Sequence, residues 1–323
     1  MDKFVRTAAA LFIALCLMPC KVFGQAAEPR IRYIDRIANL PDYLRDFYFR
    51  YADDVEKAMR HEPSCLVNPE LEEYYVEKSD FYAYTVKTFE GEVSFSCNSS
   101  DDKVIDAKAT DLIAQATTAH WDEFMSFAPY VFLALYMDFP QAFWVSDNYE
   151  KVEKTPVSTS YDAANQLCTV RYRQTFYILL KQGDYDIRRE GFRTVADIEE
   201  GMKQFEASVS QILAGWPDDS TRSAQLLYAN DWLTTHNCYN ARLSARLNPM
   251  ARSSLSALRG TTGNEGPVCE GYSRAMKVLC DRKDIPCVLL SGAARYSTDT
   301  PAEEHMWNYV QMENGLWYAI DVT

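Results

Sequence analysis

Hydrophobic and polar positions change period along this chain, and each change marks an element. Between residues 30 and 62, Tyr33, Ile37, Leu40, Tyr43, Leu44 and Phe47 recur at helical spacing, interrupted near Pro41. Phe81 to Cys97 alternates around Glu90-Gly91, which predicts a hairpin turning at that dipeptide. A long helix is predicted from about Val104 to Met137, stopped by Asp138-Phe139-Pro140. From Leu167 to Leu180 the chain reads as a strand, with Val170, Tyr172, Gln174 and Phe176 alternating against Arg171 and Arg173. Residues 194–214 return to helical spacing. Gly215-Trp216-Pro217-Asp218-Asp219-Ser220 then breaks the chain and is taken as a domain boundary.

Beyond that break the pattern carries chemistry. Val268, Tyr272, Ala275, Met276 and Leu279 predict an amphipathic helix running to about Cys280 or Asp281, with Cys269 in its first turn. Pro267 suits an early helical position, and Gly266 gives the chain room to turn. Gly271 costs roughly 1 kcal/mol inside a helix, which points to close approach of a substrate backbone or a neighbouring strand. Met306–Met312 and Leu316–Val322 alternate as strands around Glu313-Asn314-Gly315. A two-residue loop would put His305 and Asp321 on opposite faces. A three-residue loop pairs Met312 with Leu316, requires positive φ at Gly315, and makes His305 and Asp321 diagonal neighbours on one face. Trp307 and Trp317 share that face. Met306, Val310, Met312, Leu316, Tyr318, Ile320 and Val322 form the opposite, core face, together with Asn308.

A thiol, an imidazole and a carboxylate in this order are the parts of a nucleophilic site. A helix N-terminus lowers a thiol's pKa, so Cys269 is placed for activation rather than for core packing alone. His61, His120 and His236 lie in helical stretches without ligand spacing and read as structural or solvated.

The segments Val268-Cys269-Glu270-Gly271-Tyr272-Ser273-Arg274-Ala275, Asp284-Ile285-Pro286-Cys287-Val288, His305-Met306-Trp307-Asn308-Tyr309-Val310 and Trp317-Tyr318-Ala319-Ile320-Asp321-Val322-Thr323 occur in order. In this they resemble the transglutaminase-like superfamily of papain-related thiol enzymes. Asp231-Trp232-Leu233 with His236 to Tyr239 is similar to the helix that opens this domain in many bacterial members. The resemblance covers roughly residues 218–323. It implies an α+β fold: a papain-like core, with a nucleophile helix packed on an antiparallel sheet. A separate α+β N-terminal domain over 27–214, of unknown role, precedes it. It also implies Cys269 as nucleophile, His305 as general base and acid, and Asp321 as the group that orients His305. Family members usually continue past the aspartate with Thr-Trp and more sheet, so the domain over 218–323 reads as C-terminally truncated.

Residues 1–24 have a basic start, a short apolar core and small residues at the expected cut, which predicts a cleaved signal peptide and a secreted, periplasmic or cell-envelope location. Cleavage is expected after Gly24 or Ala26. Pro19 before Cys20 fits a lipoprotein signal poorly. The leader is too short for a comfortable membrane span, and no later segment is apolar enough. Acidic residues number 46 against 33 basic ones, with no dense basic run, which argues against nucleic acid and anionic lipid as partners.

Nine cysteines less Cys16 and Cys20 in the leader leave seven, an odd number that suits one free thiol with up to three bridges. Cys280 and Cys287 are placed to pair. Absence of CxxC and scarcity of histidine argue against zinc, and no EF-hand loop suggests calcium. No cofactor is expected. Asn98-Ser99-Ser100 fits the glycosylation pattern. Tyr74, Tyr75, Phe81, Tyr82 and Tyr84 read as packing rather than a binding stripe.

The expected activity is acyl transfer on peptide or protein amides through a thioester, with proteolysis or deamidation favoured over cross-linking. The rival classes are an inactive envelope or adhesion protein using the same fold and an arylamine acetyltransferase. The leader disfavours the latter, because acetyl-CoA is intracellular.

Overall fold

The computed structural model describes residues 31–59, 81–97, 102–144, 149–155, 157–181, 195–241, 249–261, 266–295 and 301–323. The predicted leader, Cys65, the Asn98 sequon, His61, Tyr74 and Tyr75 lie outside these residues. The protein is a mixed α+β molecule with small antiparallel sheets.

A 3-10 turn at Tyr33–Arg36 precedes helix α1 (Asp42–Met59), the two separated at Pro41 as the sequence predicts. Strand β1 (Phe81–Ser96) is followed by helix α2 (Asp102–Asp138), then β2 (Tyr149–Lys154), β3 (Val157–Asp162) and β4 (Leu167–Lys181). β4 is the centre of this sheet. β1 runs along one side of it, and β2 and β3 lie end to end along the other.

The hairpin expected at Glu90-Gly91 does not form, because β1 passes straight through that dipeptide. Glu90 and Glu92 instead form exposed ion pairs with Arg173 and Arg171 on β4. Gly91 lies opposite Tyr172, and a Cβ there would fall 2.3 Å from the tyrosine ring. Gly91 is therefore a cavity for an aromatic side chain, a common use of glycine inside a strand. The ladder is irregular between Thr85 and Lys87, where the guanidinium of Arg50 donates to the carbonyls of Thr85 and Val86.

Helix α3 (Val195–Ala214) buries Ile198, Met202, Phe205, Val209 and Ile212, a stripe at helical period. After the break at 215–220 come α4 (Arg222–Thr235), the short α5 (Pro249–Arg252) and α6 (Ser254–Leu258), and α7 (Cys269–Arg282). A second sheet then follows in the order β5 (Cys287–Ala294), β6 (Glu303–Gln311), β7 (Trp317–Ile320).

Residues on both sides of the expected boundary share one buried cluster, from Tyr33 through Phe143 and Phe205 to Leu279 and Val322. Polar contacts cross it too. The Tyr33 hydroxyl donates to Leu289 O, Ser254 Oγ donates to Pro140 O at 2.6 Å, and Arg282 forks onto Glu206.

Helix α7 is buried on nearly every side: Glu270 through Cys280 are all buried, in place of the expected amphipathic pattern. Its polar residues are paired instead of solvated. Lys277 Nζ donates to Asp281 at 3.0 Å and to Cys287 O at 3.1 Å, and Ser273 Oγ donates to Met306 O at 2.8 Å.

Candidate functional site

The loop joining β6 to β7 has three residues. Met312 N donates to Leu316 O and Gly315 N to Met312 O, both at 2.9 Å, and Gly315 has φ +74°. The Asn314 carboxamide oxygen accepts from Leu316 N, and Arg222 N at the start of α4 donates to the Glu313 carboxylate. That contact holds the Glu313 carboxyl below its ordinary range. The strand register therefore follows the three-residue alternative, with Gln311 opposite Trp317 and Asn308 opposite Ile320.

The regular ladder stops at Ile320. Beyond it the side chain of Val322 is buried in the main core. Asp321 then closes a local turn: its Oδ1 accepts from Thr323 N at 3.2 Å and Thr323 Oγ1 at 2.7 Å. Its other oxygen, Oδ2, lies 2.8 Å from His305 Nε2. Burial pushes the Asp321 carboxyl up. The hydrogen bonds from Thr323 and His305 outweigh it and hold the group below its ordinary value. His305 and Asp321 are thus brought together, with Nε2–H as donor and Nδ1 left to face elsewhere.

Cys269 is the first residue of α7, and Val268 is its N-cap without a side-chain cap bond. Pro267 lies one residue before that cap and outside the helix. The cap is held from outside: Val268 N donates to Ala251 O at 2.9 Å. Gly271 also packs there, since a Cβ on it would fall 2.5 Å from Ala251 O. The close neighbour that Gly271 accommodates is therefore the end of α5, not a strand or substrate.

One helical turn after Cys269, Ser273 docks on β6. Its hydroxyl donates to Met306 O, beside His305, and its carbonyl accepts from Asn308 Nδ2 at 3.0 Å. α7, through Ser273 in its second turn, is in this way anchored to the strand that carries His305. Cys269 is half-buried against the core, while Cys238 is exposed and Cys97, Cys168, Cys280 and Cys287 are buried. Cys168, Cys238, Cys269, Cys280 and Cys287 are in the thiol form. Cys280 and Cys287 do meet as the sequence suggested, but as hydrogen-bonded thiols, and that contact together with burial pushes Cys280 well up.

Trp307 stacks beside the His305 ring, centroids 6.0 Å apart, and covers Gly292, which pairs with His305 across the sheet. Trp317 shares that face but sits at the far end of β7, opposite Gln311. Two residues expected in the core are exposed: Leu316 by 59% and Tyr318 by 46%. β7 is an edge strand, and α7 packs on β5 and β6 without covering that end.

His120 stacks on Phe89 and shares a 3.1 Å hydrogen bond with Gln174, and His236 caps α4 through Trp232 O at 2.9 Å. Each is engaged in local packing and hydrogen bonding.

Glu270 carries no distinguishing signal in the sequence. This residue follows Cys269 in sequence; its carboxylate is buried, accepts from the Tyr136 hydroxyl and lies 3.8 Å from Arg252 Nε. Burial raises its pKa from 4.5 to about 7, with Arg274 opposing. A Glu in a first helical turn reads as a dipole partner, so only its tertiary environment distinguishes it.

Among the described residues no group of three His, Cys, Asp or Glu side chains could hold a metal, and no helix is long and apolar enough to cross a membrane.

No family model matches the chain, and no curated protein matches it. Among solved structures, a protein of Cytophaga hutchinsonii, described provisionally as a cysteine protease, overlaps with a TM-score of 0.29 at 12% identity. The match covers 55% of this chain and 65% of that one, less than two thirds of that chain's length.

Proposed function

We propose that the protein is a thiol enzyme of the transglutaminase-like type, acting on peptide or protein amides, with Cys269 as nucleophile. The observation that carries this reading is the 2.8 Å contact between His305 Nε2 and Asp321 Oδ2, with His305 on the strand to which α7 is anchored through Ser273.

The chemistry follows from the tautomer. With Nε2–H donated to Asp321, Nδ1 carries the lone pair that takes the Cys269 proton, and the carboxylate stabilises the resulting imidazolium. The thiolate attacks the amide carbonyl, forming a C–S bond. The tetrahedral oxyanion is met by the Cys269 backbone N–H at the open start of α7. Collapse breaks the C–N bond, and the imidazolium gives its proton to the leaving amine. Water, deprotonated by His305, then attacks the thioester and releases Cys269. Hydrolysis is favoured over cross-linking because water is the abundant acceptor outside a cell. The secreted or envelope location belongs to the same proposal and rests on the composition of residues 1–24.

The test is iodoacetamide labelling of the folded protein across pH, with the site located by mass spectrometry and exposed Cys238 as internal control. Selective labelling of Cys269 with a midpoint well below about 8.5, shifted upward in His305→Ala, is expected. Equal labelling of both thiols near that ordinary value would sink the reading.

A further inference from the structure

The geometry points to a second functional group in the first turn of α7. We propose that Glu270 is a positioning residue which locks the Cys269 turn in place and, through its own charge, sets how readily Cys269 ionises. This deepens the thiol reading above and rests on it for its meaning, though not for its measurement.

Three features carry it. First, Glu270 follows Cys269 directly, yet its side chain is buried, whereas an acidic residue in a first turn is ordinarily solvated. Second, it is gripped from two other elements: the Tyr136 hydroxyl near the end of α2 donates to Oε1, and Arg252 Nε at the end of α5 lies 3.8 Å from Oε2. Third, its surroundings are themselves locked. Arg274, one turn on, donates to Tyr136 O at 2.9 Å and stacks over the Tyr136 ring at 4.2 Å. Among the described residues, Tyr136, Arg252 and Arg274 face Glu270 from α2, α5 and α7. The α7 N-cap has no side-chain bond of its own, so this cluster supplies a fixed reference for Cys269.

The charge consequence follows from burial. Below about pH 7 the carboxyl is neutral. Above it a carboxylate in the same first turn as the thiol weakens the positive potential of the α7 N-terminus, and so opposes thiolate formation there. Cys269 would therefore gain reactivity less steeply above neutrality than an isolated thiol does.

The experiment is the iodoacetamide rate at Cys269 from pH 5 to 9 in wild type, Glu270→Gln and Tyr136→Phe, with circular dichroism as the check on folding. Glu270→Gln keeps the shape and removes the charge, and should lower the Cys269 midpoint by about one pH unit. Tyr136→Phe removes a donor to the carboxylate and keeps Glu270 protonated to higher pH. It should shift the midpoint in the same direction by less. A folded Glu270→Gln with an unchanged profile overturns the proposal. If that variant does not fold, an unchanged profile in Tyr136→Phe does so. A wild-type midpoint at the ordinary thiol value would defeat the enzyme reading alone, since the shift between variants is still measured at Cys269.

Discussion

The carbonyl oxygen of Cys238 occupies the place where a side chain at position 266 would begin: a Cβ on Gly266 would fall 1.6 Å from it. The segment after α4 and the approach to α7 are joined there. Cys238 N donates to Thr261 O and Asn240 N to Pro267 O, both at 3.1 Å. Because the obstructing atom is backbone, it cannot rotate away. Gly266→Ala should therefore displace the run-in to Cys269, costing at least about 2 kcal/mol in urea denaturation and lowering Cys269 labelling. A variant with wild-type stability and labelling would show that the two segments separate freely.

Asp321→Asn should leave the fold intact and damage the site. The amide no longer fixes the His305 tautomer or stabilises an imidazolium, so Cys269 alkylation at neutral pH should fall at least about tenfold. Thr323→Ala removes only the hydroxyl that donates to Oδ1, and its effect should be smaller. The order of the two effects is the check.

Asp321 and Asp138 should push stability in opposite directions with pH. The Asp321 carboxyl lies below its ordinary value in the fold, so its stabilisation is present above the usual carboxylate range and is lost as pH falls through the folded value. Asp138 is half-buried at the end of α2, accepting from Tyr33 N and from Tyr48 Oη at 2.7 Å. Burial raises its pKa from 3.8 to about 6. Its contribution is therefore complete below 3.8 and lost as pH rises through about 6. Urea denaturation between pH 4 and 6 should show stability falling by up to about 1.4 kcal/mol per pH unit from this group, a slope absent in Asp138→Asn.

Gly91 and Tyr172 should couple. Gly91→Val places methyl groups in the volume of the Tyr172 ring and should cost about 1–3 kcal/mol by itself. In a Tyr172→Ala background most of that cost should disappear, and additive effects in the double-mutant cycle would refute the ring-in-cavity explanation.

The features legible along the chain are local. The hairpin at Glu313-Asn314-Gly315, the start of α7 at Cys269, the break at Pro41 and the buried stripe of α3 all follow from turn residues and hydrophobic period. Those signals act over a few residues, where backbone sterics and side-chain periodicity decide the conformation. The hairpin loop sets the register that puts His305 and Asp321 toward one face, and the burial of Val322 beyond the ladder completes the approach.

Tertiary structure decided the rest. Gly91 looks like a turn until Tyr172 arrives on another strand, and Leu316 looks like core until the sheet proves to end at β7. Glu270 looks like a solvated helix start until Tyr136 and Arg252 enclose it. In each case the deciding atom lies far away in sequence, and whether a residue is buried, charged or paired depends on that partner and not on the local period.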